Sequence, residues 1–173
     1  YKARLSAEFT SRIDPLTNLY NRRAFTQLVY PIWELGVRKK QRMSIVLIDL
    51  DWFKQIYDEF GHDAGDGVLE LVAKTIKARA RSSDLVFRWG GEEFLLFLPD
   101  TSVSDAKALA ETLRLSVKEV TSESITTVTT SIGVAAFNAQ ESGGTKIEGL
   151  IKVADKALYV AKQKGCLLYT SDA

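Results

Sequence analysis

One run of residues limits the available folds more than any other. Met43 to Leu50 reads Met-Ser-Ile-Val-Leu-Ile-Asp-Leu, apolar and rich in branched side chains, without the alternation of a half-exposed strand. It is too short for a typical helix and is expected to be a strand buried on both faces. The run ends on acids, Asp49 with Asp51 just beyond it.

Two further strands are expected at Asp84–Trp89 and Glu92–Leu98, joined through Gly90-Gly91, a hairpin signal because paired glycines accept positive φ. Around them the periodicity turns helical. Asn21 is placed to cap a helix that runs to about Lys40, kinks at Pro31 and packs through Phe25, Leu28, Ile32 and Leu35. A short helix over Trp52–Phe60 and a loop over Gly61–Gly65 lead to a helix from Asp66 to about Ala80, with Val68, Leu69, Val72, Ala73 and Ile76 on one face. Ser104–Val120 reads as helix, Thr126–Phe137 as a strand interrupted by Gly133, and Ile147–Lys164 as a helix whose apolar face includes Ile147, Leu150, Ile151, Ala154, Leu158 and Ala161. Asn138–Lys146 reads as a loose loop, and residues 1–12 as the end of a linker helix arriving from upstream.

A chain of 173 residues, 46% of them hydrophobic, fits one compact domain. Lys and Arg number 23 against 22 Asp and Glu, so the net charge of +1 gives no general attraction to nucleic acid or a membrane surface. Any phosphate chemistry must be local. There is no run of about 18 apolar residues and no signal peptide at the start, so a soluble, cytoplasmic domain is expected. The single cysteine, Cys166, cannot form an internal disulfide.

Asp49 and Asp51 end the buried strand, and Glu92 and Glu93 sit beside the glycine hairpin. If the hairpin joins the same sheet, negative charge is concentrated at one place. Crowded carboxylates repel one another unless a cation joins them, and Mg²⁺ prefers oxygen ligands supplied together with substrate phosphates. A Mg-nucleotide site is the physical reading, and a solvated hairpin the plain alternative.

The segment Arg88-Trp89-Gly90-Gly91-Glu92-Glu93-Phe94 resembles the GG(D/E)EF signature of bacterial diguanylate cyclases, in its GGEEF form. Asp14–Arg23, Asp49–Lys54, Gly61–Asp66 and Ala154–Lys162 agree with the same family in the same order, so the resemblance spans residues 14 to 165. It implies an α/β fold, a nucleotide-cyclase-like sandwich with a central, mainly antiparallel sheet flanked by helices, as a catalytic domain over residues 13–165. The implied reaction condenses two GTP into cyclic di-GMP plus two pyrophosphates in a homodimer of such domains, controlled by an upstream sensory or regulatory domain. The parent protein is allowed a membrane anchor, while this domain is expected to touch neither membrane nor nucleic acid.

The resemblance also assigns residues. Asp49, the Leu50 carbonyl and Glu92 would hold Mg²⁺ or Mn²⁺; Glu92 would also accept the proton, with Glu93 beside it. Lys54 and Lys162 would meet the triphosphate, helped by backbone N–H groups opening the short helix; without the motif both are solvated helix charges. Phe53, Gly90, Gly91 and His62 would line the nucleotide pocket. Asp66 would accept hydrogens from guanine N1 and the 2-amino group, although in isolation it reads equally as a helix N-cap. Arg81-Ser82-Ser83-Asp84 resembles the RxxD product-inhibition motif, with an Arg to clamp phosphate or stack on guanine and an Asp to accept from its edge. A surface ion pair is the alternative there.

The chain departs from the family in three places. Tyr57 replaces the usual Asn of a second guanine contact and offers one hydroxyl instead of an amide. Asn18 replaces a usual Gly in a turn, a mild change because Asn tolerates left-handed geometry. After Gly165 the family continues with Arg-Asn-Arg and a strand; here Cys166–Ala173 resembles a translated transposon-derived sequencing adapter and is expected to be a non-native tail. Two rival readings stay open: a catalytically weak or inactive domain that binds GTP or cyclic di-GMP, and a hybrid cyclic GMP-AMP synthase, whose characteristic change would fall at position 66.

Overall fold

The computed structural model describes residues 11–139, 146–165 and 169–170. Residues 1–10 of the expected linker helix, 140–145 of the expected loop, and 166–168 and 171–173 of the expected tail lie outside the described residues.

Met43–Leu50 forms β2, and every one of its residues is buried. Successive side chains of a strand point to opposite faces, and both faces of β2 are used. Val46, Ile48 and Leu50 join one core with Val68, Leu69, Val72 and Ile76 of helix α3 (His62–Arg79) and Leu113 and Val117 of α4 (Val103–Ser122). Met43, Ile45 and Leu47 join a second core with Phe25, Val29 and Trp33 of α1 (Ala24–Arg38) and Leu150, Ala154 and Leu158 of α5 (Ile147–Gln163). The lack of alternation in the sequence therefore has a physical cause: helices cover the sheet on both sides.

The sheet runs β1 (Tyr20–Asn21), β3 (Leu85–Arg88), β4 (Glu93–Pro99), β2, β5 (Thr130–Phe137) and β6 (Tyr169–Thr170). β3–β4, β4–β2 and β2–β5 are antiparallel, and only the two-residue edge strands β1 and β6 pair in parallel. This is the expected sandwich with a central antiparallel sheet.

Several local expectations are corrected. Helix α1 buries Phe25, Val29, Trp33 and Gly36, whereas Ile32 and Leu35 are exposed. The cause is a close approach: a Cβ at Gly36 would lie 2.4 Å from Met43 Sδ, so the Gly36 side of the helix is the one that sits on β2. The N-cap of α1 is Arg23, while the Asn21 side chain, two residues upstream, accepts the Ala24 N–H at 3.0 Å, and the helix continues past Pro31 to Arg38. Residues His62–Gly65, expected as loop, are the first turn of α3, which Gly61 separates from α2 (Phe53–Phe60). Asp66 is thus inside the helix and is not its N-cap. β5 begins at Thr130 and not at Thr126. The hairpin between β3 and β4 forms, yet Gly90 and Gly91 both keep negative φ; among the described glycines only Gly61 and Gly165 have positive φ.

Gly133 fixes the layer above the site. A Cβ there would lie 2.2 Å from the Ala154 carbonyl oxygen and 2.4 Å from the Leu158 nitrogen. The backbone of α5 therefore rests directly on β5, a distance only glycine allows, and its last turn brings Lys162 to the end of β2.

Candidate active site

The site is assembled where β2 ends. In the β2–β4 register Asp49 is opposite Glu93, and the Leu50 N–H donates to the Glu92 carbonyl at 3.2 Å. The hairpin tip is stitched by the Trp89 N–H donating to the Glu93 carbonyl at 2.8 Å. Arg88 then pins it: its guanidinium donates to the Gly91 carbonyl at 2.9 Å and to both carboxylate oxygens of Asp14 at 3.2 Å. Burial opposes ionisation of Asp14, but the Thr17 hydroxyl and N–H and the Arg88 charge outweigh it and hold its carboxyl below the usual range.

Asp49 is 5% exposed. Its Oδ2 lies 3.0 Å from Lys162 Nζ, while its Oδ1 is buried with no hydrogen-bond partner. Burial pushes its carboxyl up despite Lys162. Glu92 is pushed up by burial and by the Asp49 charge, and Glu93 by burial and the same neighbour. Three neighbouring carboxyls resist ionisation even with Lys162 paired to Asp49, so the cluster is short of positive charge.

Beside it opens a cleft of about 270 Å³ lined by Phe53, Tyr57, Arg88, Gly91, Glu92 and Glu93. Phe53 is buried and packs edge-on against Tyr57 at 4.7 Å; the Tyr57 hydroxyl donates to Asp66 Oδ1 at 3.2 Å, and the His62 ring is 4.8 Å from the Tyr57 ring. Phe53, Tyr57, Gly91, Glu92 and Glu93 of the expected residues line this cleft; His62 and Asp66 touch Tyr57, and Asp49, opposite Glu93 in the sheet, carries Lys162. Lys54 is exposed on the first turn of α2, and Gly90 is half-buried against the Glu93 carboxylate, where a Cβ would come within 3.0 Å.

Asp51 adds its charge to the expected acidic cluster, raising Asp49, but its own oxygens are engaged. Its oxygens accept the hydroxyls of Thr129 at 2.9 Å and Ser131 at 2.7 Å, and its N–H donates to the Thr129 carbonyl at 2.9 Å. It anchors the turn in which Trp52 adopts left-handed backbone, φ 58°, directly before α2. Sequence reasoning missed this clamp and the Arg88 pin. The one signal for the clamp is polar Thr129 and Ser131 two residues apart beside an otherwise apolar strand.

Arg81 and Asp84 lie outside the cleft. The buried Asp84 carboxylate accepts the Arg81 backbone N–H at 2.8 Å and its guanidinium at 3.1 Å, and the guanidinium also donates to the Pro99 carbonyl at 3.0 Å and to Thr101 Oγ1 at 2.5 Å. The pair staples the turn before β3 to the end of β4.

A helix-covered antiparallel sheet with a buried acid, Asp49, at the end of its central strand, beside a glycine hairpin, has the architecture of a nucleotide-cyclase-like domain. Residues 11–166 match the family model of the diguanylate cyclase GGDEF domain, and the chain belongs to that family. It is 45% identical over 158 residues to diguanylate cyclase DgcM of Escherichia coli (strain K12), covering 91% of this chain and 38% of that protein. The GGDEF domain of DgcB from Caulobacter crescentus, solved in complex with c-di-GMP, superposes with a TM-score of 0.84 at 30% identity, covering 94% of each chain. The active GGEEF domain of a diguanylate cyclase from Vibrio cholerae gives 0.78 at 32% identity, covering 87% of this chain and 98% of that one.

Diguanylate cyclases of this family need a divalent metal. Among the described residues no three Asp, Glu, His or Cys side chains converge into a complete protein cage. The unpartnered Asp49 Oδ1 beside Glu92 fits a cation that takes one or two carboxylates and completes its shell with substrate phosphates.

Proposed function

We propose that this chain is the catalytic domain of a diguanylate cyclase, which condenses two GTP into cyclic di-GMP and two pyrophosphates when two copies face each other. The observation that carries this is the buried Asp49 carboxylate, with one oxygen on Lys162 and the other unpartnered, set against Glu92 and Glu93 on the hairpin. Such a cluster favours a cation-bound polyphosphate over a neutral ligand.

Asp49, Glu92 and the Leu50 carbonyl are the residues to hold Mg²⁺ or Mn²⁺. When bound, the divalent ion neutralises phosphate charge and favours ionisation of the attacking hydroxyl. Each 3′-oxygen forms a bond to the α-phosphorus of the partner's nucleotide, and the bond from that phosphorus to pyrophosphate breaks. In this reading the hydroxyl proton passes to the Glu92 carboxylate. Lys162 and Lys54 receive the triphosphate, and Phe53, Gly90, Gly91 and His62 surround the nucleotide. Each copy supplies half of the reacting pair, so dimerisation is part of catalysis.

The chain spans 38% of the length of DgcM. An upstream sensory or regulatory segment and a cytoplasmic setting, where GTP is available, complete the proposal; among the described residues no helix is long and apolar enough to cross a membrane. Product analysis with GTP, ATP and their mixture tests it. Cyclic di-GMP from GTP alone and from the mixture is expected, whereas cyclic GMP-AMP from the mixture would assign the chain to the hybrid synthases.

A further inference from the structure

Trp52 combines a left-handed backbone, φ 58° and ψ 28°, with the most exposed large apolar side chain among the described residues, 73% exposed. We propose that this indole serves the partner copy: when two copies face each other, each sets its Trp52 against the other, and the two rings hold the half-sites together. This rests on the cyclase reading.

The backbone and the side chain at position 52 answer to different demands. A residue with a Cβ is strained in left-handed backbone, where Gly and Asn fit more easily than an aromatic residue. Asp51 enforces that conformation: its carboxylate accepts the Thr129 and Ser131 hydroxyls at 2.9 and 2.7 Å, and its N–H donates to the Thr129 carbonyl at 2.9 Å. The turn therefore needs the backbone, because α2 starts at the next residue, but it does not need an indole. Trp52 supplies no side-chain cap to α2, and among the described residues no ring or cation stacks on it. The other two tryptophans are packed. Trp33 is 3% exposed, and Trp89 meets the Phe25 ring at 5.1 Å and the Arg22 guanidinium at 4.3 Å.

Position decides what covers the ring. Trp52 follows Asp49 by three residues, so their Cα atoms are at most about 11 Å apart, and Phe53, the next residue, lines the cleft. A second copy that brings its nucleotide to Asp49 and Glu92 comes within reach of Trp52. The ring does not line its own copy's cleft. At this end of the sheet Asp49, Asp51, Glu92 and Glu93 outnumber Lys54 and Lys162, which disfavours an anionic lipid surface as the occupant. In a two-fold pairing the contact is made twice, once from each copy.

The test is self-association of the chain by sedimentation velocity, with Mg²⁺ and the α,β-methylene analogue of GTP, for the wild type, Trp52→Phe, Trp52→Asn and Trp52→Gly. Urea unfolding is expected to find the Asn and Gly variants at least as stable as the wild type, since both accept the left-handed backbone. Pairing is expected to run the other way: Trp52→Phe stays within about three-fold of the wild type, and Trp52→Asn and Trp52→Gly weaken by about ten- to a hundred-fold. Pairing that is equal in all four proteins, absent from the wild type, or ranked as the stabilities are overturns the proposal. Cyclic di-GMP formation by the wild type fused to a dimeric coiled coil is scored separately. A chain that makes none, yet pairs through Trp52, contradicts the cyclase reading and supports this one; a chain that makes it, with pairing indifferent to Trp52, contradicts this one alone.

Discussion

Lys162 Nζ lies 3.0 Å from Asp49 Oδ2, while the other oxygen of the same buried carboxylate has no hydrogen-bond partner. One oxygen of this acid is therefore paired with a protein cation, and the other is enclosed without a hydrogen-bond partner. The pair exists because Gly133 lets α5 rest on β5, which carries the end of that helix over the end of β2.

Lys162→Met removes the only protein cation paired with Asp49 among the described residues. Turnover of GTP is expected to fall on the order of a hundred-fold, as when one charge-stabilising donor is lost. The nucleotide-free protein should lose about 1 to 2 kcal/mol in urea unfolding, less than a fully buried pair would cost because the Lys162 side chain is 40% exposed. Adding Asp49→Asn should restore the stability and not the turnover.

Glu92→Gln should stabilise the nucleotide-free protein at neutral pH. Burial, then the Asp49 charge, raises the Glu92 carboxyl above its ordinary value, so the folded state binds the proton more tightly than the unfolded chain. Below the ordinary carboxyl range both states are protonated and the residue costs nothing; as pH rises through the raised folded value, ionisation is resisted and stability is lost. Thermal melts against pH should show the variant gaining on the wild type as pH rises from the ordinary carboxyl range towards neutrality, with the two converging again in acid.

Gly133→Ala places a methyl group against the α5 backbone, where a Cβ is 2.2 Å from the Ala154 carbonyl. The helix must shift. A stability loss of about 1 to 3 kcal/mol is expected, typical of overpacking, together with reduced turnover because Lys162 moves with the helix. Urea unfolding and a steady-state assay check both parts.

Arg81→Ala leaves the buried Asp84 carboxylate with the backbone N–H of residue 81 and without its guanidinium partner. A loss of about 1 to 3 kcal/mol is expected. If Arg81 is also the proposed product clamp, added cyclic di-GMP inhibits the wild type and not the variant at equal folded concentration. Equal inhibition of both would leave Arg81 a staple only.

The strands and most helix faces were legible because they depend on periodicity: β2 is continuous apolar sequence, and α3 and α5 repeat apolar residues every third or fourth position. What was not legible depends on contacts distant in sequence. The buried side of α1 is set by Gly36 meeting Met43, which no pattern within the helix reveals. Gly61 to Gly65 looks like a loop by its glycines, yet Gly65 is helical, and its missing side chain makes room for Tyr57. At the site, the motif pointed to Asp49, Glu92 and the residues along the cleft. It did not separate Asp51, whose oxygens are taken by Thr129 and Ser131, from Asp49 and Glu92, nor identify Arg88 as the pin joining Asp14 to the hairpin.

The central claim is that the Glu92 hairpin and Asp49 form the reacting half-site of a cyclase. The most direct measurement takes the chain fused to a dimeric coiled coil, supplies Mg²⁺ and GTP, and quantifies cyclic di-GMP and pyrophosphate by mass spectrometry and coupled assay, beside the same fusion carrying Glu92→Gln. The account predicts two pyrophosphates per cyclic di-GMP and a fall of about a hundred-fold or more in the variant with its fold intact. A folded, dimeric, GTP-binding wild type that makes no cyclic di-GMP, or a Glu92→Gln protein that makes it at the wild-type rate, would contradict it.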